Sequence, residues 1–211
     1  MTPTLQSEPA SEVSRESVLH AIAHEIRQPL STIESIAYYL SLVLDDDKHR
    51  EQLARVQQLV EQSNWILSNG VELADSRLAA PVPIDLGELI AQTVAGRPAS
   101  VDPPVKLELS ADLPVVQLDP WFARALIENI LGLFRQLAAE EHPTLLRTTA
   151  AGTGVEIDAS TAAPGHRSIE SLPPGTALSL ESARHIATLH GGSCTWTIDP
   201  ASGIRVRVML P

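Results

Sequence analysis

The sequence predicts an α-helical hairpin followed by an α+β sandwich. Two long stretches carry apolar residues at steps of three and four, which is the spacing of one helix face. After a short segment with two prolines, shorter helical patterns are interspersed with runs that have the two-residue period of strands. The chain has 211 residues, which is enough for one large domain or two small ones.

The hairpin is predicted over residues 13–79, after a flexible tail at residues 1–12. Its two helices are expected at about residues 13–44 and 48–78, joined by the acidic turn Asp45–Asp47. Each helix carries more apolar surface than one partner helix covers, so a homodimer that forms a four-helix bundle is expected. The apolar stripe of the first helix consists of Leu19, Ile22, Ile26, Leu30, Ile33, Ala37, Leu40 and Leu44.

Residues 80–84 are predicted to form a stiff linker because Pro81 and Pro83 lie there, and the second domain is expected over residues 85–211. Its helices are predicted at about residues 85–95, 120–139 and 178–189. Its strands are predicted at residues 105–109, 115–118, 145–150, 154–159, 194–198 and 204–210, with a loop at residues 160–175. This order of helices and largely antiparallel strands favours a sandwich with the helices on one face of the sheet.

The composition disfavours two classes of partner. A net charge of −11 and an aromatic content of 3% argue against nucleic acids and anionic membranes. No apolar run approaches the roughly 20 residues that cross a bilayer, and the N-terminus has no secretion signal, so a cytoplasmic location is expected. The single cysteine, Cys194, is expected to be a buried and inert thiol.

The segment His24–Leu30 is the most informative stretch of the sequence. His24 lies about 200° around the helix from Ile22 and Ile26, which are expected to point into the bundle. His24 therefore falls on the polar face, where an exposed imidazole can act as a nucleophile near neutral pH.

Three neighbours of His24 add to this chemistry. Glu25 offers a carboxylate that can accept the ring proton, and Arg27 can offset the charge of an incoming phosphoryl group. Gln28 shares the face of His24 one turn later and could orient a water molecule, although a solvated helix residue is the plainer interpretation. Pro29 removes a backbone hydrogen bond inside the helix, which indicates a bend beside His24. By composition alone, the plainer interpretation of His24 is a solvated surface residue beside a chance kink.

His24, Glu25, Pro29 and Leu30 in this spacing resemble the phosphoacceptor box of sensor histidine kinases, His-Glu-x-x-x-Pro-Leu. The resemblance extends over residues 16–77. It implies that His24 is the phosphorylated residue and that Glu25 is its acid–base partner.

The second domain is similar to the ATP-binding (Bergerat-like) domain of the same kinases from about residue 84 onward. The similarity is carried by Ile84–Leu89, Leu118–Asn129, Val155–Asp158, Ala183–Gly192 and Val206–Pro211. It implies that Asn129, Asp158 and Gly175 occupy positions that contact the nucleotide in that family.

The sequence departs from the kinase pattern where the nucleotide binds. Leu133 stands where the family has a second asparagine that binds magnesium, and leucine has no oxygen ligand to offer. Glycines that follow Asp158 and Gly175 in the family are replaced, although glycine is what lets backbone approach a phosphate. The lid segment Ser160–Pro174 is short and has no phenylalanine.

These losses predict that the chain binds neither ATP nor magnesium. Asn129, Asp158 and Gly175 are then vestigial, and for Asp158 an ordinary carboxylate at a strand end is the plainer interpretation. The function expected is that of a histidine phosphotransferase in a phosphorelay, which passes a phosphoryl group through His24 between aspartates of receiver domains. Response-regulator receivers, which carry the Mg²⁺, and a hybrid or upstream histidine kinase are the expected partners.

Three alternatives remain open at this point. One is a divergent histidine kinase core that still phosphorylates itself from ATP. Another is a scaffold that binds a kinase or a receiver without chemistry. The third is a phosphatase of phosphorylated receivers, in which Gln28 orients the attacking water.

Overall fold

The structure is a computed structural model that describes residues 15–44, 46–74, 81–97, 104–137, 143–162 and 168–211. The predicted tail at residues 1–12 lies outside the described residues, as do residues 75–80 at the predicted end of the hairpin and residues 163–167 of the predicted lid.

The hairpin consists of helix α1, Arg15–Val43, and helix α2, Asp47–Ala74, which pack against each other. The start of α2 is stabilised by Asp46, whose Oδ1 accepts a hydrogen bond from the backbone N–H of Lys48 at 2.8 Å. Both helices therefore match the predicted hairpin, with small differences at their ends.

The apolar stripe of α1 is only partly covered within one chain. Ala23 and Ala37 are buried, because their small side chains let α2 approach closely. Ile22 and Ile26, which were expected to point into the bundle, are 47% and 41% exposed, and Ile33 is similarly exposed. In the single chain, a row of large apolar side chains on α1 therefore stays exposed next to the surface that packs against α2.

The second domain begins with a short strand and then alternates helices with strands. Its strands are β1 Val82–Ile84, β2 Val105–Leu109, β3 Val116–Leu118, β4 Thr144–Ala151, β5 Gly154–Thr161, β6 Ser193–Asp199 and β7 Gly203–Leu210. Its helices are α3 Leu86–Ala95, α4 Pro120–Leu137 and α5 Thr176–Leu189, with a 3-10 turn at Ile169–Ser171.

Five strands form one sheet in the order β2-β4-β5-β7-β6, in which only the pairing of β2 with β4 is parallel. The hydrophobic core packs this sheet against α4 and α5. Leu126, Ile130 and Phe134 of α4 lie in this core together with Ile157 and Val208 of the sheet. The predicted α+β sandwich is confirmed.

The predicted linker contains a strand. Val82–Ile84 pair antiparallel with Val116–Leu118 in a separate two-stranded sheet. Pro83 cannot donate a backbone hydrogen bond, which is tolerated because a two-stranded sheet consists of edge strands only. This pairing fixes the entry to the second domain next to the start of α4.

Among the described residues, no helix is both long enough and apolar enough to cross a bilayer.

Candidate functional site

His24 lies in the middle of α1 with its side chain exposed. Its Nε2 is 3.3 Å from the amide Nε2 of Gln28, one turn further along the helix. A hydrogen bond donated by the Gln28 amide in this contact corresponds to the His24 tautomer with its proton on Nδ1. In that tautomer Nε2 is the nucleophilic nitrogen.

The predicted neighbours of His24 lie around it on α1. The guanidinium of Arg27 donates a hydrogen bond from Nη2 to Ser68 Oγ of α2 at 3.1 Å, which holds the positive charge close to the hairpin surface. Glu25 is exposed, and α1 continues as a helix through Pro29. The structure thus brings His24 and Gln28 into contact and holds Arg27 about one turn from the imidazole.

The other side of α2 packs against the second domain, where Trp65 is the central contact. A Cβ atom added to Gly132 of α4 would lie 2.8 Å from Trp65 Nε1. A Cβ added to Gly175, at the start of α5, would lie 2.7 Å from Cζ3 of the same indole. The indole therefore fills the space between α4 and the start of α5.

Asn129 belongs to a buried polar cluster that also includes α2. Its Nδ2 donates to Glu72 Oε2 at 2.6 Å and to Ser182 Oγ at 3.0 Å. Ser182 Oγ donates to the same carboxylate oxygen at 2.8 Å. One turn earlier on α2, Asn69 donates to Ser179 Oγ at 2.6 Å. The position that the kinase resemblance assigns to nucleotide contact is therefore bonded to a carboxylate of the hairpin.

Burial raises the pKa of the Glu72 carboxyl above its ordinary value, while the hydrogen bonds from Asn129 and Ser182 oppose this shift. Glu72 is 8% exposed. The carboxylate is thus held in a partly desolvated site that has two hydrogen-bond donors.

Asp158 is buried within β5 rather than at a strand end, because β5 continues to Thr161, and it is engaged by Arg205 of β7. Arg205 Nε donates to both carboxylate oxygens, at 2.8 and 3.0 Å, and Nη2 donates to Oδ2. Arg207 Nη2 lies 3.8 Å from Oδ2. The Asp158 carboxylate is therefore paired with two arginine side chains of the neighbouring strand β7.

Two other positions of the predicted nucleotide site, Leu133 and Gly175, are explained by packing and backbone conformation. Leu133 is 1% exposed and belongs to the hydrophobic core. Gly175 has a φ of +88°, a conformation that favours glycine, and caps the start of α5. Close contact with Trp65 and positive φ together account for this glycine.

Sequence reasoning missed Trp65, Asn69, Glu72 and Arg205. Each acts through a partner far along the chain, with a separation of 57 residues for the bond of Glu72 to Asn129 and 110 for the bond of Asn69 to Ser179. A lone tryptophan in a largely polar helix was the one local signal for this interface.

Comparison with known proteins finds sequence relatives among sensor histidine kinases. No protein-family model matches the chain. It is 25% identical over 221 residues to the sensor protein KdpD of Escherichia coli, covering 95% of this chain. It is 24% identical over 204 residues to the E. coli sensor histidine kinase ZraS, covering 90% of this chain. The chain spans 25% of KdpD and 44% of ZraS.

Solved structures share the fold. Full-length ShkA in complex with AMPPNP matches with a TM-score of 0.65 at 17% identity, over 94% of this chain and 46% of ShkA. The histidine kinase AdeS of Acinetobacter baumannii matches with a TM-score of 0.59 at 12% identity, over 89% of this chain and 96% of AdeS. The chain therefore resembles the cores of sensor histidine kinases in sequence and shares their fold.

Proposed function

We propose that this chain is a histidine phosphotransferase, which carries a phosphoryl group on His24 between receiver aspartates and does not bind ATP. The observation that supports it most directly is the bond between Glu72 and Asn129. In the kinase family the asparagine position faces the nucleotide. Here a carboxylate of α2 lies at that position, and it would repel the phosphates of a nucleotide.

Two further contacts support the loss of ATP binding. Trp65 packs against Gly175, at the loop that holds phosphates in the family, so a nucleotide would first have to displace α2. The carboxylate of Asp158, the adenine-contacting position in the family, is engaged by Arg205. Entry of ATP would therefore require the loss of buried packing and of several hydrogen bonds.

The chemistry at His24 follows from its tautomer. The lone pair of Nε2 attacks the phosphorus of an aspartyl phosphate, the bond from phosphorus to the aspartate oxygen breaks, and the aspartate leaves as a carboxylate. Glu25 accepts the proton of Nδ1, which leaves a neutral phosphorylated ring. Gln28 must turn away first, because its amide occupies the Nε2 lone pair. The reverse sequence delivers the group to a second receiver.

The receiver supplies the aspartate and Mg²⁺ in this scheme, so the hairpin contributes His24 and the positive charge of Arg27. We further propose that the protein works as a cytoplasmic homodimer and that its donor is a receiver of a hybrid or upstream histidine kinase. The exposed apolar row on α1 supports the dimer.

A phosphotransfer profile tests this function. Receiver domains of the host, phosphorylated with labelled acetyl phosphate, are each incubated with wild type and with His24→Ala. At least one receiver is expected to label wild type and to leave His24→Ala unlabelled. If no receiver exchanges label with wild type in either direction, the phosphotransferase function is wrong.

A further inference from the structure

Arg27 is bonded to a neutral group. Its Nη2 donates to Ser68 Oγ of α2 at 3.1 Å, and within the described part of the chain it forms no ion pair with a carboxylate. Several arginines elsewhere pair with carboxylates, among them Arg135 with Glu61, Arg147 with Glu108 and Arg205 with Asp158. The positive charge of Arg27 is therefore not cancelled by a bonded carboxylate.

The position of Arg27 on α1 lets its side chain serve His24. Arg27 follows His24 by three residues, so it lies about 4.5 Å further along the helix and about 60° around it. Ala23, which is buried against α2, lies about 40° from Arg27 and about 100° from His24. Arg27 therefore stands between the helix contact and the imidazole, and a long side chain at this position can span both.

Ser68 lies on the part of α2 that the second domain holds in place. Trp65, one turn before Ser68, packs against Gly132 of α4. Glu72, one turn after Ser68, accepts a hydrogen bond from Asn129 of the same helix. Because α2 is fixed on both sides of Ser68, the half-buried hydroxyl is a rigid acceptor for the guanidinium.

The carboxylates nearest to this contact have other partners. A cavity of about 370 Å³ beside Arg27 is also lined by Glu72 and Glu128. The Oε2 atom of Glu72 accepts two hydrogen bonds from side chains of the second domain. Glu128 lies 3.8 Å from Arg124. Each carboxylate is thus engaged within the second domain, and Ser68 is the group that holds the Arg27 guanidinium.

A neutral anchor suits an arginine that has to act on a phosphoryl group. A guanidinium has several N–H donors, and the bond to Ser68 uses one of them, so the others stay available to phosphoryl oxygens. A carboxylate anchor would fix the side chain equally well but would weaken its attraction for the negative charge on those oxygens. A hydroxyl fixes the side chain without this loss.

We propose that Ser68 is a positioning residue for phosphoryl transfer, which holds Arg27 beside His24 through a neutral hydrogen bond and leaves its charge to the phosphoryl group. This inference rests on the proposed phosphotransferase function and extends it from α1 to α2. It also gives the second domain a part in the transfer, because its contacts with Trp65 and Glu72 hold the anchor in place.

A pair of variants of equal size tests the neutrality of the anchor. The maximal rate at which His24 is labelled is measured with a saturating amount of the phosphorylated receiver that labels wild type fastest. Ser68→Asp is expected to lower this rate about tenfold, because the new carboxylate pairs with Arg27. Ser68→Asn should retain most of the wild-type rate, because its amide oxygen accepts the same hydrogen bond without a charge.

A double-mutant cycle tests whether Ser68 acts through Arg27. Ser68→Ala is expected to lower the maximal rate about threefold or more, and Arg27→Gln to lower it further. In the Arg27→Gln background, Ser68→Ala should have no additional effect, since the group that it positions is gone. Losses that multiply in the double variant would show that Ser68 acts independently of Arg27 and would overturn the proposal.

Ser63→Ala is the matched control, because Ser63 is also a half-buried serine of α2 but donates to the backbone carbonyl of Leu59. It should transfer at the wild-type rate. Thermal unfolding identifies variants that fold poorly, and if Ser68→Asp is one of them the double-mutant cycle decides. Equal rates for folded Ser68→Asp and Ser68→Asn would overturn the role of Ser68 and leave the phosphotransferase function intact. Absence of any His24-dependent transfer by wild type would overturn both.

Discussion

His24 and Glu72 are the two residues on which the proposed chemistry depends most. The His24 side chain is exposed, and its Nε2 lies 3.3 Å from Nε2 of Gln28. Glu72 places a carboxylate against Asn129 inside the domain interface. Under the proposed function, His24 receives the phosphoryl group, and Glu72 occupies the position from which a kinase would supply it.

Gln28→Ala is expected to leave His24 competent for transfer. A neutral hydrogen bond contributes about 0.5–1.5 kcal/mol, so its loss changes the transfer rate by no more than roughly tenfold. The rate of labelling from a phosphorylated receiver measures this. A loss of labelling as complete as that of His24→Ala would show that transfer through His24 requires the Gln28 amide. Slower decay of the phosphorylated receiver with Gln28→Ala would support the phosphatase alternative.

Glu72→Gln is expected to remove a pH dependence of stability. The pKa of Glu72 is raised in the folded state, so its contribution to stability is complete below the unfolded value, near 4.5, and is lost as the pH rises through the folded pKa. Glutamine keeps an acceptor for Asn129 and Ser182 without a charge. Thermal unfolding of wild type and Glu72→Gln across pH 4–9 measures the difference.

Glu72→Ala is the contrasting variant. It leaves Asn129 and Ser182 buried without their shared acceptor, which costs about 1–3 kcal/mol. Its melting temperature should therefore fall at every pH, whereas that of Glu72→Gln should equal or exceed wild type at pH 8. Parallel pH profiles of melting temperature for wild type and Glu72→Gln would show that folding does not raise the pKa of Glu72.

The exposure of His24 followed from helix periodicity, because the angle between residues on one helix is fixed. The setting of Glu72 could not be predicted in this way. Its burial depends on how α2 docks against α4 and α5, and no local pattern encodes a contact between residues 57 positions apart. Asp158 shows the same limit, since its partner Arg205 comes from a strand 47 residues later.

At the scale of elements, the helical hairpin and most strands were predictable because their apolar periods are strong. Strand β1 was not, since Pro81 and Pro83 argued for a linker and only the pairing with Val116–Leu118 makes Val82–Ile84 a strand. The start of α5 was predicted two residues late, at residue 178. Gly175 and Thr176 begin that helix against Trp65, a contact that the sequence does not reveal.

Gly175→Ala tests the docking of α2 on α5. Alanine at φ +88° is strained, and its Cβ would also collide with Trp65, so unfolding free energy should fall by more than the roughly 1–3 kcal/mol of strain alone. Gly152→Ala is the matched control, because φ is +64° there and no atom lies within 4 Å of the added Cβ. Chemical denaturation measures both. Equal losses for the two variants would show that Trp65 does not press on Gly175.

At the scale of the whole molecule, two contacts organise the chain. The contact of α2 with the second domain is internal and joins α2 to α4 and α5 through Trp65, Asn69 and Glu72. The apolar row of α1 faces outward, and in the proposed homodimer it would pack against a second copy to make a four-helix bundle with two exposed His24 side chains.

Ile33→Glu is expected to convert a dimer into a monomer, because a charge placed in the apolar row would be buried without a partner. Light scattering after size-exclusion chromatography gives the mass. Ser35→Glu, at an exposed position on the polar side of α1 with His24, should leave the dimer intact. A monomeric wild type, or a dimeric Ile33→Glu, would count against the bundle.

His24 is expected to receive its phosphate from a receiver and not from ATP. The most direct measurement incubates wild type and His24→Ala in parallel with labelled ATP and Mg²⁺, and with a labelled phosphorylated receiver. We predict label on wild type from the receiver only, and none on His24→Ala from either source. Label that passes from ATP to wild type but not to His24→Ala would contradict the phosphotransferase function and identify the chain as an active kinase core.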